Sequence, residues 1–344
     1  MRYRIFYLCL LSFLIGPFIY AEPFFTISCS DPLSFEFTEF GKAMVRCLNL
    51  EKDITPTGFM RYAQNRSPNS NQDIWEEPNC DPGILCAPED LYDLSGKFGW
   101  IDEVSLHAPE SFHCIIIMGG TIPGMRDRIH LVLSCFRKQW IRGTPKICFL
   151  TNERPLKVYD GKGFIQELKE KGCSPTESSA ARYLWDGIVP SHLKCEFVNT
   201  ITPDIPKSVS LQSFDTNDVM ASWVHWLKIQ QGSNSWRVLL VGSQPWLHHQ
   251  KLVCERLLLS YFPGFFLGGG TLEVIGIAAP SMYRKSGARR SEAFKTNVLW
   301  PSIALSVCEE EEVLSSKNKL KKGSAVPDAP QADFSAAVPP TDTK

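Results

Sequence analysis

The chain has 344 residues, 44% of them hydrophobic, and a formal net charge of −1. That apolar fraction excludes wholesale disorder and supports a sizeable core, in one large domain or two small ones. The balanced charge supplies no global field for nucleic acid or for an anionic membrane surface.

Arg2 and Arg4 precede an apolar run from Ile5 to Tyr20, and Ala21 before Glu22 offers a cleavage point. Residues 1–21 therefore read as a secretory signal peptide. Gly16-Pro17 interrupts the run, which is short for a spanning helix, so membrane contact is expected only through an uncleaved leader. The expected location is secreted, periplasmic or envelope-associated. There are 12 cysteines; loss of Cys9 with the leader leaves an odd number, so they cannot all pair within the chain. Cys29 with Cys47, and Cys80 with Cys86, are the disulfide candidates in an oxidising compartment. Cys114 and Cys148 fall in apolar runs and read as small core residues.

Residues 22–105 read as an irregular N-terminal extension lying against the main domain. Thr38 to Leu50 suits a helix, but 51–90 is rich in Pro, Asn, Ser and Asp.

The segment 106–308 reads as the main domain. Three apolar runs each end in small and polar residues: HCIIIMGGT from His113, KICFLTNER from Lys146 and RVLLVGSQP from Arg237. Continuous apolar runs flanked by helical patterns predict strands buried on both faces of a parallel sheet. Further strands are expected over 195–199 and 271–278. Helices are expected near 123–141, 162–171, 175–186, 246–261 and 290–307, and one from a cap at Asp215 through 231. Ser174-Pro175-Thr176-Glu177 fits a capping box that opens the helix stopped at Gly187. From Glu309 the sequence turns to EEEE, KNKLKK and a Pro/Ala/Asp-rich stretch, which predicts a disordered tail over 309–344. The fold class is α/β, a Rossmann-like three-layer sandwich with a mainly parallel sheet of about five strands.

In such sheets ligands bind beyond the carboxyl ends of the strands. Gly119, Gly120 and Thr121, at a strand-to-helix junction, suit an anionic group through backbone amides and the helix dipole, although a plain turn explains them too. Arg128 and Arg154 are the cations placed to neutralise it, while Arg126 falls on another helix face. Thr151, Asn152, Ser243 and Gln244 complete the strand tips. Glu153 ends a strand where the crevice should be, and Glu177 is the other candidate base. Gly268-Gly269-Gly270 precedes its strand and reads as a turn at the far end of the sheet. Ser243 lacks the glycine and the downstream acid of a nucleophile elbow. His248 and His249 are adjacent and make a weak metal pair. Trp223, Trp226 and Trp246 read as core or pocket wall.

From 113 to 280 the chain resembles the SanA/YdcF-like family, whose defining module is domain of unknown function 218. The resemblance rests on IIIMGG at 115–120 with Arg128, TESSA at 176–180, FDTNDV at 214–219 and LLVGSQPWLHHQ at 239–250. It implies a Rossmann-like fold and a link to envelope or lipid-carrier metabolism. It adds Asp215 and Thr216 to the site. Trp246 and His249 stand where the family has His and Arg. The expected ligand is a small phosphate- or nucleotide-like anion, with no cofactor assigned. The alternative is a non-catalytic interaction protein on a degenerate version of the fold.

Overall fold

The structure is a computed structural model. It describes residues 23–28, 34–48, 50, 54–64, 91–106, 108–157, 160–193, 197–201, 216–279 and 298–321. The signal-peptide reading, Cys29, Cys80, Cys86, Asp215 and residues beyond 321 lie outside them.

The described strands are β1 (Phe25–Ile27), β2 (Phe35–Phe37), β3 (Glu110–Ser111), β4 (Cys114–Met118), β5 (Ile141–Arg142), β6 (Lys146–Leu150), β7 (Phe197–Ile201), β8 (Arg237–Ser243) and β9 (Thr271–Ile277). The helices are α1 (Glu39–Cys47), α2 (Pro56–Gln64), α3 (Leu91–Lys97), α4 (Ile122–Arg137), α5 (Lys162–Glu170), α6 (Glu177–Ile188), α7 (Thr216–Lys228), α8 (Trp246–Tyr261), α9 (Gly264–Leu267) and α10 (Trp300–Lys321).

The fold is α/β around a parallel sheet of order β7-β6-β4-β8-β9. Both faces of the central strands are dry. Ile115 and Ile117 of β4, Ile147 and Phe149 of β6, and Leu239 and Val241 of β8 pack with α4, α5 and α6. Cys114, Ile116 and Met118, with Cys148, Leu150, Val238 and Leu240, pack on the other face with α7 and α8. Side chains alternate across a strand, so a segment covered on both sides must be apolar at every position. The unbroken runs in the sequence are that requirement written out. Helix α8 approaches closely because the paired glycines Gly242 and Gly276 leave room for Leu247: a Cβ on either would come within 2.8 Å of its side chain.

The chain leaves β4 for β6 and β7 on one side, then returns to β8 and β9 on the other. Strand order thus reverses between β4 and β8, the place where open α/β sheets present a crevice.

Two expectations change. The described residues of 22–105 are not irregular. The β1–β2 hairpin with α1, α2 and α3 forms a second core, in which Phe24, Phe40, Phe59 and Trp100 pack against Leu299, Ile303 and Val307 from the far end of the chain. Val104 also pairs with Gly276 and covers the β9 edge. Nor does the ordered domain end at 308, because α10 runs on to Lys321. Its acidic run is not a solvated face. Glu310 is buried and accepts the amides of Phe24 at 3.0 Å and Phe25 at 2.9 Å. Glu309 pairs with Arg256 at 2.5 Å, and Val313 is buried one turn on. Expected helix boundaries also shift: the 123–141 helix stops at Arg137, which leaves Ile141–Arg142 free to pair with β3.

Replacing Glu310 with Ala strands two buried amides. Glu310→Ala is expected to lower unfolding stability by roughly 2–4 kcal/mol in urea denaturation. A variant as stable as wild type would show that the clamp contributes nothing.

Candidate functional site

The tips of β4 and β6 are tied by the Gly119 amide, which donates to the Leu150 carbonyl at 2.7 Å. The chain turns at Gly120, whose φ of 133° L side chains rarely adopt. Thr121 then caps α4, its Oγ1 accepting from the Gly124 amide. At Gly119 a side chain has no space: a Cβ would lie 2.0 Å from Glu177 Oε1 and 2.7 Å from the Leu150 carbonyl.

Arg128 projects from α4 into the reversal point. Its Nη1 donates to the carbonyls of Met118 and Gly119, and its Nε donates to Ser243 Oγ at 2.9 Å. One guanidinium therefore joins the tips of β4 and β8. Burial lowers its pKa to about 10, against the opposing pull of Glu177 and Asp127, so it stays charged at neutral pH.

Arg154 follows β6. Its Nε donates to Glu177 Oε2 at 2.7 Å. Its Nη1 and Nη2 face the two oxygens of Asp160 at 3.0 and 3.4 Å, and Nη2 also donates to the Gly120 carbonyl. Asp160 is buried and accepts the Lys157 amide as well.

Glu177 completes the network. Its Oε1 accepts the Gly120 amide at 2.9 Å. Burial raises its carboxyl to about 7 and outweighs the opposing help of Arg154, the Gly120 amide and Arg128. The capping-box reading of this residue is wrong. The N-cap is Thr176, whose Oγ1 accepts from the Ser179 amide, and Glu177 is the first helical residue. Segment 174–176 lies against 154–156 through Leu156 N to Pro175 O and Glu177 N to Arg154 O, and Pro155 bridges Thr176. That pairing holds Thr176 extended and delays the helix. Glu177 is thereby freed to reach the β4 turn. Gly187 does not stop α6 either, since the helix continues to Ile188.

The other sequence candidates divide. Ser243 joins the network through Arg128. Asn152 supports it: its Oδ1 accepts the Arg154 amide at 2.9 Å and shapes the turn. Thr151 lies at the β6 tip, and its buried hydroxyl has no hydrogen-bond partner among the described residues. Glu153 is exposed, accepts from Ser178 Oγ and makes no described contact with Arg154 or Glu177, so the structure does not bring it into the cluster. Gln244 turns the other way and donates to the Gly99 carbonyl at 3.1 Å. Thr216 opens α7 beside Asn217, which bonds Arg256, about 15 Å along α8 from its start; no described contact joins Thr216 to the network.

His248 and His249 are buried imidazoles. Burial and then Lys251 push His248 down to about 3, and burial and then Arg256 push His249 down to about 4. Both are neutral at physiological pH. His248 packs on Trp100 at 4.6 Å, as a core residue would. Among the described residues no group of three His, Cys, Asp or Glu side chains is placed to hold a metal ion.

Sequence reasoning missed Asp160 entirely and gave Arg128 no structural partner. Arg154 meets both buried carboxylates, while Arg128 bonds two carbonyls and Ser243 and interacts with Glu177 only through space. Comparison of the chain with protein-family models, with curated proteins and with solved structures finds no match.

Gly119→Ala is expected to displace Glu177 from the Gly120 amide and to cost roughly 1–3 kcal/mol through the lost buried hydrogen bond alone; thermal or urea unfolding checks it, and a neutral effect would contradict the close approach. Glu177 carries a pH signature. Its folded pKa is raised from 4.5 to about 7, so the stability it contributes is full below pH 4.5 and is lost as pH rises through 7. The stability difference between wild type and Glu177→Gln should therefore move toward the variant by about 3 kcal/mol at most between pH 4.5 and 8. A difference that stays flat across that range would place the carboxyl at its ordinary pKa.

Proposed function

We propose that this chain is a YdcF-like protein on a Rossmann-like three-layer sandwich, and that it binds a small phosphate- or nucleotide-like anion at the carboxyl ends of β4, β6 and β8. The observation that carries this reading is how the Glu177 carboxylate is held: a glycine-turn amide at 2.9 Å and an arginine Nε at 2.7 Å, with a second arginine behind the same turn. Those are the donors a phosphate oxygen takes. Arg128 reaches the reversal of strand order between β4 and β8, where such folds bind ligands, and the other donors lie at the neighbouring β4–β6 tips. A carboxyl near neutral pKa in the same place suits proton transfer to or from that ligand, with Glu177 as acid or base and Arg154 orienting it.

The basic, apolar leader at 1–21 supports an exported or envelope-associated setting. No described helix is long and apolar enough to cross a membrane.

A second reading rests on a separate observation. Arg128 already serves carbonyls and Ser243, and Arg154 already serves Glu177 and Asp160. A cluster so satisfied also suits a structural role in a non-catalytic interaction protein. Isothermal titration calorimetry at pH 6 with inorganic phosphate and with ADP separates the two. The ligand reading expects binding by wild type and at least tenfold weaker binding by Arg154→Ala and Arg154→Lys, with circular dichroism showing both variants folded. Equal affinity in all three proteins, or no heat with either anion, overturns it.

A further inference from the structure

We propose that oxyanion binding at this site is coupled to the uptake of one proton by Glu177. The inference deepens the proposed function and rests on an anion binding at the β4–β6 tips. Its basis is geometric. The Gly120 amide and Arg154 Nε, the donors best placed for an anion, are both engaged by Glu177. Gly119 is pressed against that carboxylate so closely that no Cβ fits. An arriving oxyanion therefore meets a second negative charge, the buried Glu177 carboxylate, at contact distance.

Like charges that share a buried site cannot both stay ionised at ordinary cost, and the group with weaker support takes the proton. The charged groups around Glu177 decide which one that is. Asp160 keeps Nη1 and Nη2 of Arg154 and the Lys157 amide, whether or not Arg154 Nε turns to a ligand. Glu153 faces outward and is tied to Ser178. Asp127 is exposed on α4, while Arg128 of that helix is fixed on the carbonyls of Met118 and Gly119. Glu177 alone stands to lose its amide and its cation together. A proton from solvent then adds to a Glu177 carboxyl oxygen and no covalent bond breaks. The neutral acid leaves no unpaired charge behind. Arg154 Nε and the Gly120 amide pass to the ligand. Burial already holds the Glu177 carboxyl close to that protonation at neutral pH.

Inorganic sulfate tests this, because its charge is constant between pH 6 and 8. Calorimetry would be run at pH 6, 7 and 8, in pairs of buffers that differ in ionisation enthalpy. Wild type is expected to bind sulfate at pH 6, to weaken toward tenfold per pH unit above 7, and to take up about one proton per sulfate at pH 8. Glu177→Gln is expected to bind at least as tightly as wild type at pH 6, with no pH dependence and no uptake. Sulfate binding by wild type without proton uptake at pH 8 overturns the coupling and leaves the anion site standing. Absence of sulfate binding by both proteins also overturns it, whereas ADP binding at pH 6 would still uphold the proposed function. Should the Gln variant fail to fold, proton uptake by wild type decides alone.

Discussion

One guanidinium shared between two buried carboxylates organises the carboxyl end of this sheet. Arg154 holds Asp160 with one end and Glu177 with its Nε, and both acids are almost out of contact with solvent. Charges so buried persist only when paired and hydrogen-bonded, so each local conformation that brings the three together is constrained by the other two. Arg154 must turn toward Asp160, whose amide donates to the Lys157 carbonyl. Helix α6 must begin at Glu177 and not earlier. Gly119 must lack a side chain. Arg128 makes the complementary tie from β4 to β8, and its donors are spent on strand-end carbonyls that would otherwise face the crevice unpaired.

The sheet was the legible part of the sequence. Strands covered on both faces leave an unbroken apolar run, and Cys114–Met118, Lys146–Leu150 and Arg237–Ser243 carry that mark plainly. The glycines and Arg128 were placed near the site by the same logic. Glu177 reads from sequence as part of a capping box, because Ser174 to Glu177 satisfies that spacing. What moves the helix start is a pairing with residues 154–156, some twenty positions upstream, which local pattern cannot show. Asp160 carries no local signal at all. It matters only because Arg154 is turned toward it, and an aspartate near a glycine ordinarily reads as a turn residue.

The second core illustrates the same limit at longer range. Phe24, Phe40 and Phe59 sit in a stretch whose composition suggests loops, and their partners Leu299, Ile303 and Val307 lie more than two hundred residues away. Each half carries a short apolar stripe, Phe40 with Met44 on one side and Leu299, Ile303 and Val307 on the other, but nothing local says that the two meet. The EEEE run fails as a disorder signal for a related reason: its members face different partners, Glu310 the hairpin amides and Glu309 the Arg256 guanidinium. Charge density in sequence measures solvation only when those charges end up in solvent.

These two regions meet through α8. Its first turn follows the β8 tip, where Ser243 is bonded by Arg128 and Gln244 reaches the Gly99 carbonyl of the second core. His248 continues that contact onto Trp100, and Ser302 of α10 donates to the Pro245 carbonyl at 2.7 Å. The β8–α8 junction thus has a charged side toward the strand tips and a packed side toward the N-terminal segments. The packed side fixes the position of Ser243, and Ser243 in turn fixes the outer edge of Arg128. That is why a segment with no part in the charged cluster still bears on it: the α1–α3 and α10 core holds the frame within which the two arginines can be buried.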